Sequence, residues 1–509
     1  LIFAFNGFVW SQAVIVEVYT LGILTFVITL ILLMRWFFVP ENRRYLYAAI
    51  FVFGLCFTNH QTLVLAAPGI VLLILLADRQ LGRDFLFLSG AVYMLLLIYT
   101  LKDADDPTRS NPGLFILVNL VGSALMATLV ALTVRMPVRW LSALVGAAYF
   151  VVALTMGYAW SVFLEKGQLN PANKVVELWI ALNCLLLVVL AVYSWLKNFR
   201  LFNKREEPGI MTHWMPLLGA TASFVVGISF YLYMPIASMT NPPMNWGYPR
   251  TPQGFKHAIT RGQYDRIAAS NFQRMFIDHT HVKMDPKRPK PLAPANSGKF
   301  NGGQVMIFLD EAVEEFSLSY LFLGVLPLSV IPMMRLKEVR WIAGLTGIFV
   351  SFTLILIYLI NPTADEANRH LNKVFFTASH VFIAIGLGGG LAILGAAIFS
   401  RPGTALTISV LGLLAGLFLW ECYDTYQVFQ QTHFPIIRAA AVVGLALVVA
   451  TGLIAAMLAL NQNFKKHYAV LACLLAVFTL LPMRPALNNW ADNEQRGHLF
   501  GYWYGHDMF

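Results

Sequence analysis

QAVIVEVYTLGILTFVITLILLMRWF, residues 12–37, holds Glu17 and Arg35 as its only charged side chains and is otherwise almost wholly apolar. A hydrocarbon core about 30 Å thick takes about 20 helical residues to cross. Only helices or closed barrels satisfy their backbone polar groups there, and this run is too long and too uniformly apolar for a barrel strand. Similar runs recur to the end of the chain, at 45–58, 62–77, 85–101, 113–133, 140–163, 175–197, 211–237, 314–334, 341–361, 372–398, 404–420, 435–460 and 468–483. Counted as one crossing each, they predict an all-α polytopic membrane protein with about fourteen transmembrane helices. The second and third runs are short and meet at a polar break, Thr58-Asn59-His60, so they are a helical hairpin or one broken element.

The charges between the runs set the orientation. One set of loops holds Arg35, Arg43 and Arg44, then Arg79 and Arg83, Arg135 and Arg139, Lys197, Arg200, Lys204 and Arg205, Arg335, Lys337 and Arg340, Arg401, and Lys465 and Lys466. The short alternate loops hold Lys102, Arg109, Lys166, Lys174, Arg369 and Lys373, diluted by acids such as Asp103, Asp105, Asp106, Asp365 and Glu366. Basic loops stay on the cytoplasmic side, so the first set is cytoplasmic. Composition agrees: 58% hydrophobic and 12% charged residues over 509 positions, with mean hydropathy +0.66, exclude an ordinary soluble domain. The net charge of +10 sits in these loops, so membrane topology accounts for it and nucleic acid is not an expected partner. Cys56, Cys184, Cys422 and Cys473 show no paired spacing, hence neither a disulfide framework nor a zinc site is expected. Residue 1 is Leu and no signal peptide is recognisable, so the chain is expected to be a piece of a longer polypeptide.

The chain is divided into an N-terminal transmembrane module (1–237), a long non-cytoplasmic loop (238–313), C-terminal transmembrane helices (314–483) and a polar, aromatic-rich tail (484–509) on the same face as the loop. Within the loop, Thr251-Pro252 has the form of an N-cap followed by Pro at the first helical position. Phe255, Ala258, Ile259 and Tyr264 then make a partial apolar stripe, which predicts a helix lying on the membrane surface. Residues 286–294, PKRPKPLAP, are proline-rich and basic and predict loop.

Several polar residues stand out against this background. Glu17 lies about one turn into the first run, where an acid costs about 2.5–3.5 kcal/mol at mid-bilayer and less near an interface. It either faces a polar cavity or reaches the headgroups. Asn59, His60 and Gln61 interrupt the hairpin at its non-cytoplasmic tip, where they line a site or cap loose helix ends. Residues 241–251, NPPMNWGYPRT, combine prolines and a glycine that shape a turn with the rings of Trp246 and Tyr248 and the charge of Arg250. Rings stack on sugar faces and arginine pairs with phosphate, although an interfacial aromatic belt has the same composition. Arg369 and Lys373 lie in the acidic loop before the apolar span beginning Val374-Phe375-Phe376, positioned to meet a lipid phosphate or simply to be solvated. Asp278, His279, His281 and Asp285 have the side chains to coordinate a metal but no fixed geometry, so no metal site is assigned. Gly388-Gly389-Gly390 falls within a span and predicts close helix packing rather than a phosphate loop. The tail alternates Asp492, Glu494, Arg496, His498, His506 and Asp507 with Trp490, Phe500, Tyr502, Trp503 and Tyr504, which suits a carbohydrate surface or a packed lid equally.

WSQAVIVEVYTL (10–21), GLCFTNHQTLVLAAPG (54–69), NPPMNWGYPRTPQGFKHAITRGQYD (241–265) and DNEQRGHLFGYWYG (492–505) together resemble one family. It is the bacterial transmembrane family related to the eukaryotic protein O-mannosyltransferase that modifies plexin-type domains, within the GT-C glycosyltransferase superfamily. The resemblance implies a GT-C-like bundle around a cavity open to the periplasm or lumen. It also implies a polyprenyl-phosphate-linked, mannose-like sugar as donor and a protein hydroxyl as acceptor, with a carboxylate taking the acceptor proton. Matched by position, Glu17 is the candidate catalytic carboxylate and His60 and Lys373 are candidate substrate-binding residues; Asn59, Trp246, Arg250 and Arg369 are candidate substrate-binding residues beside them. Two departures qualify the match: the family's acidic motif in a first outer loop would lie upstream of residue 1, and Trp246-Gly247-Tyr248 stands where relatives carry Trp-Gly-Asp. The implied surroundings are membrane lipids, the lipid-linked sugar and the protein acceptor, in a bacterial inner membrane with the active face periplasmic. A divalent-metal requirement is left open. A secondary transporter is a rival of a different class, but here the ionisable residues gather at one face rather than at midplane. A non-catalytic scaffold subunit of a larger membrane complex is the third possibility.

Overall fold

A computed structural model describes residues 2–14, 19–101, 111–136, 139–165, 214–242, 245, 247–260, 267, 271–277, 303–362, 372, 374–400, 485–486 and 489–493, with isolated positions at 178, 181–182, 185–186 and 189. The described secondary structure is helical throughout. Six helices are long and apolar enough to cross a membrane: Tyr19–Phe38, Arg79–Leu101, Pro112–Thr133, Trp214–Met239, Leu336–Ile360 and Val374–Ile393. A seventh is reached only if Gly303–Phe316 and Tyr320–Met333, which meet at a 108° bend, are one span.

The expectation of about fourteen transmembrane helices is therefore corrected to six, at most seven, among the described residues. Among the described runs, treating each one as a crossing is the source of the difference. The runs at 45–58 and 62–77 fold as the helix Arg44–Asn59, a 3-10 segment Gln61–Ala66 and the helix Ala67–Ala77. At 1.5 Å per residue, the 16-residue first helix spans about 24 Å, short of the hydrocarbon core. Within the run 12–37, Tyr19–Phe38 is the described span, and a short helix Gly7–Val14 lies N-terminal to it. The expected spans at 404–420, 435–460 and 468–483, and most of 175–197, lie outside the described residues.

The chain divides into two compact units. The larger comprises Leu24–Ile307 and Arg335–Asn372. In it Arg44–Asn59 packs on Trp214–Ile228, Ala67–Ala77 on Leu336–Ile360, and Arg79–Leu101 on Pro112–Arg135. Gly54 and Gly227 face each other at the first contact, where a Cβ on Gly227 would lie 2.4 Å from the Phe51 carbonyl oxygen. Leu86, Tyr93, Phe115, Met126, Leu129 and Tyr149 form part of a buried apolar cluster. Its polar atoms are paired: Tyr93 Oη donates to Asn119 Oδ1 (2.7 Å) and Asn119 Nδ2 donates to the Phe115 carbonyl (2.8 Å). The Leu336–Ile360 helix ends at Asn361 in a left-handed conformation (φ 51°), and Gln304 Nε2 donates to the Asn361 side-chain oxygen at 2.7 Å. Asn271 Nδ2 donates to the Tyr358 carbonyl and Tyr358 Oη to the Gly113 carbonyl, so Asn271–Ile277 and Pro112–Arg135 are both tied to the C-terminal end of Leu336–Ile360.

The smaller unit comprises Leu1–Ile23, Phe308–Met334 and Lys373–Phe509. Leu318–Ser329 packs along Thr377–Ser400 around Phe316, Tyr320, Leu323, Leu387 and Leu391. Ser317 adopts φ 63° and ψ 157°, a region otherwise left almost entirely to glycine. This residue makes the bend, and no Gly or Pro in the sequence marks it.

Candidate functional site

Of the expected site residues, Asn59, His60 and Arg250 are described, whereas Glu17, Trp246, Arg369 and Lys373 lie outside the described residues. So do Asp278, His279, His281 and Asp285. Among the described residues, no group of three or more His, Cys, Asp or Glu side chains could hold a metal.

The Arg250 region is assembled around Ser238, a buried residue in the last turn of Tyr233–Met239. Ser238 Oγ donates to Asn245 Oδ1 (2.8 Å), Asn245 Nδ2 donates back to the Ser238 carbonyl (3.3 Å), and the Arg250 backbone N–H donates to Ser238 Oγ (3.2 Å). The turn closes through positive φ at Asn241 (52°), Gly247 (72°) and Tyr248 (47°). A left-handed conformation is uncommon for residues other than glycine and rarer still for a bulky one such as Tyr248. The Arg250 guanidinium donates to Asn241 Oδ1, and its Cζ lies 5.8 Å from the centre of the Tyr248 ring. Thr251 then caps the helix Pro252–Ile259, its Oγ1 accepting from the Gly254 N–H at 3.0 Å, with Pro at the first helical position as the sequence predicts. Phe255, Ala258 and Ile259 are half-buried, while Gln253, Lys256 and His257 are exposed.

The hairpin tip meets this helix. Gln61 Nε2 donates to the Ile259 carbonyl at 3.4 Å across 198 residues of sequence. His60 itself is extended (φ −139°, ψ 105°), and its N–H caps Arg44–Asn59 by donating to the Cys56 carbonyl at 2.8 Å. His60 Nδ1 is hydrogen-bonded to Thr62 Oγ1 at 2.5 Å. The backbone of the tip thus performs a capping role while the Gln61 side chain reaches the C-terminal end of Pro252–Ile259.

A second polar cluster lies in the smaller unit, and of its residues only Trp490 is among those singled out from sequence. Gly303–Phe316 buries Ile307, Phe308, Glu311, Ala312, Glu315 and Phe316 and exposes Asp310 and Glu314. Glu315 Oε2 accepts from the Gly7 N–H at 2.6 Å, and Asn6 Oδ1 accepts from the N–H groups of Phe8 (3.2 Å) and Val9 (3.4 Å). Together they cap the helix Gly7–Val14. His380, fully buried, lies 3.4 Å from Asn6 Oδ1 through Nδ1 and stacks on Phe8 with ring centres 4.6 Å apart. Asn489 Nδ2 donates to the Phe5 carbonyl, and Trp490 meets Trp10 edge to face. A signal existed in FLDEAVEEF (308–316): Glu311 and Glu315 are in phase with Phe308 and Ala312, whereas Asp310 and Glu314 are not.

Replacing Glu315 tests this cap. Glu315→Ala removes a charge-assisted bond to an otherwise orphaned N–H and is expected to cost about 1.5–3 kcal/mol. Glu315→Gln keeps an acceptor and should recover part of that loss, read as thermal unfolding of the detergent-solubilised protein. Equal midpoints for the wild type and the alanine variant would show that the bond contributes nothing.

A family model described as Protein O-mannosyl-transferase TMEM260 N-terminal domain matches residues 1–82. That stretch contains Gly7–Val14, Tyr19–Phe38 and the whole hairpin with its Asn59-His60-Gln61 tip. No curated protein and no solved structure matches the chain.

Proposed function

We propose that this integral membrane protein is a glycosyltransferase that moves a mannose-like sugar from a polyprenyl-phosphate donor to a protein hydroxyl on the periplasmic face of a bacterial inner membrane. The observation that carries it is the match of residues 1–82 to the N-terminal domain of a protein O-mannosyl-transferase. In this reaction the acceptor oxygen attacks the anomeric carbon, the bond from that carbon to the phosphate oxygen breaks, and polyprenyl phosphate departs. The acceptor's proton passes to a carboxylate, for which Glu17 is the candidate. Asn59 and His60 at the hairpin tip, with Trp246 and Arg250 in the outer loop and Arg369 and Lys373 before the Val374 span, are assigned to the donor. Cationic donors there would stabilise the charge gathering on the leaving phosphate.

The test is transfer of radiolabelled mannose from polyprenyl-phosphate-mannose to an extracytoplasmic protein acceptor, with the full chain in nanodiscs. Transfer is expected, and Glu17→Gln should slow it by about 10²–10⁴-fold, the usual contribution of a positioned base. Absence of transfer by folded wild-type protein would overturn the proposal in favour of a scaffold subunit. Undiminished transfer by the variant would remove Glu17 from the mechanism.

A further inference from the structure

We infer that the end of Tyr19–Phe38, where it meets the start of Leu336–Ile360, binds the headgroup of an anionic phospholipid that carries two phosphates, with an acyl chain lying along the outward stripe of Tyr19–Phe38. The inference stands apart from the transferase reading and uses none of the residues assigned there. Four observations carry it, all on residues of the larger unit.

The first is depth. Phe37 and Phe38 pack on Trp341, with ring centres 5.3 and 6.2 Å away, and Trp36 Nε1 donates to the Pro40 carbonyl at 3.2 Å. Indole rings gather where apolar and wet surroundings meet, so these helix ends stand at headgroup level. The second is charge. Arg35, Arg43, Arg44, Arg335 and Lys337 are exposed and Arg340 is half-buried, with only Glu41 and Glu338 as acids in the same two segments, 35–44 and 335–341. Glu338 is already engaged, its Oε2 accepting from the Arg335 N–H at 3.0 Å. Among the described residues no carboxylate pairs with any of the six cations. Basic pockets between spans at headgroup depth are where anionic lipids are held.

The third observation is presentation. Lys337 Nζ donates to the Phe38 carbonyl at 2.8 Å and lies 5.9 Å from the centre of the Phe38 ring. The bond joins the two helices and fixes the ammonium at the end of the helix that carries Arg35 one turn earlier. Two of its three N–H groups remain for a ligand. A charge that only sets topology has no need of a fixed position. The fourth is the adjoining surface. Leu24, Ile28, Ile31, Arg35 and Phe38 follow at spacings of four and three, so they share one helix face, and all five are exposed. An apolar stripe that ends in a cation and an aromatic ring matches an acyl chain below a phosphate. Because the cations stand on both helices, a headgroup with two phosphates can engage both at once. An acidic protein segment would leave the stripe unused.

The experiment titrates the full chain in detergent with cardiolipin, phosphatidylglycerol or phosphatidylcholine and reads bound lipid by native mass spectrometry. Cardiolipin is expected to bind tightest, phosphatidylglycerol about fivefold more weakly and phosphatidylcholine more weakly still, each basic contact being worth about a factor of five. Arg35→Ala and Lys337→Gln should each weaken cardiolipin binding about fivefold. Lys337→Gln keeps a donor for the Phe38 carbonyl while removing the charge. Arg35→Lys keeps the charge and should restore most of the affinity, which separates loss of the site from loss of the fold. Lys256→Ala, at an exposed cation on Pro252–Ile259, should leave binding unchanged. Wild-type affinity in Arg35→Ala or in Lys337→Gln overturns the site. So does equal binding of phosphatidylglycerol, or an equal loss in Lys256→Ala, either of which would make the attraction one of bulk charge.

Discussion

Asp84→Ala is expected to cost about 3–5 kcal/mol of stability, the usual loss when one partner of a buried ion pair is removed. Arg83 and Asp84 are almost completely inaccessible, at 1% and 0% exposure, although both lie near the start of Arg79–Leu101 beside what the sequence marks as a cytoplasmic loop. Arg83 donates to Asp84 Oδ1 through Nε and Nη2, each at 3.1 Å, and through Nη1 to the Met136 carbonyl, also at 3.1 Å. The last bond ties the start of one span to the residue that caps the end of another, Pro112–Arg135. Removing the carboxylate leaves a guanidinium in a low-dielectric site where it cannot shed its proton. Arg83→Met combined with Asp84→Leu should regain most of the loss, because neither charge then has to be desolvated. Thermal unfolding in detergent separates the cases: a single variant as stable as the double would show that the pair is solvated.

Gly390→Ala is expected to destabilise by about 1–3 kcal/mol, the cost of overpacking a close contact. A Cβ there would lie 2.0 Å from the Leu323 carbonyl oxygen, and one on Gly386 would lie 2.7 Å from the Gly324 carbonyl oxygen. Backbone atoms cannot rotate out of the way, so Leu318–Ser329 and Thr377–Ser400 would have to separate and open the contacts of Leu323, Leu387 and Leu391. Gly386 and Gly390 thus form a small-residue stripe one turn apart, as close-packed membrane helices use. Gly388→Ala is the control, since nothing lies within 4 Å of where its added methyl group would stand. There the substitution should be neutral or stabilising by up to about 1 kcal/mol, through helix propensity. Destabilisation by both variants to the same degree would refute the close approach.

These contrasts show how far the sequence could be read. The Thr251-Pro252 cap was legible because a cap is a local bond between neighbours; the packing expected of the glycine run holds at Gly389 and Gly390 and not at Gly388. The hairpin break was legible too, since Asn59-His60-Gln61 cannot continue an apolar helix, and the structure resolves it into two helices and a 3-10 segment. The number of crossings was not, because an apolar run fixes only a preference for a dry environment. Whether it crosses, stops short or bends depends on what it packs against, and the bend at Ser317 carries no local signal at all. Arg83 shows the same limit. By position it counts among cytoplasmic loop charges, yet its partners bury it.

What the sequence by itself determined is that this chain forms helices apolar enough to cross a membrane. Apolar length acts through the solvent, without reference to the rest of the fold. Only the tertiary structure decided which polar groups lie inside. Glu315 reaches Gly7 across 308 positions and His380 reaches Asn6 across 374. No window of sequence reports a contact at such separation, because burial is a property of the surfaces that meet.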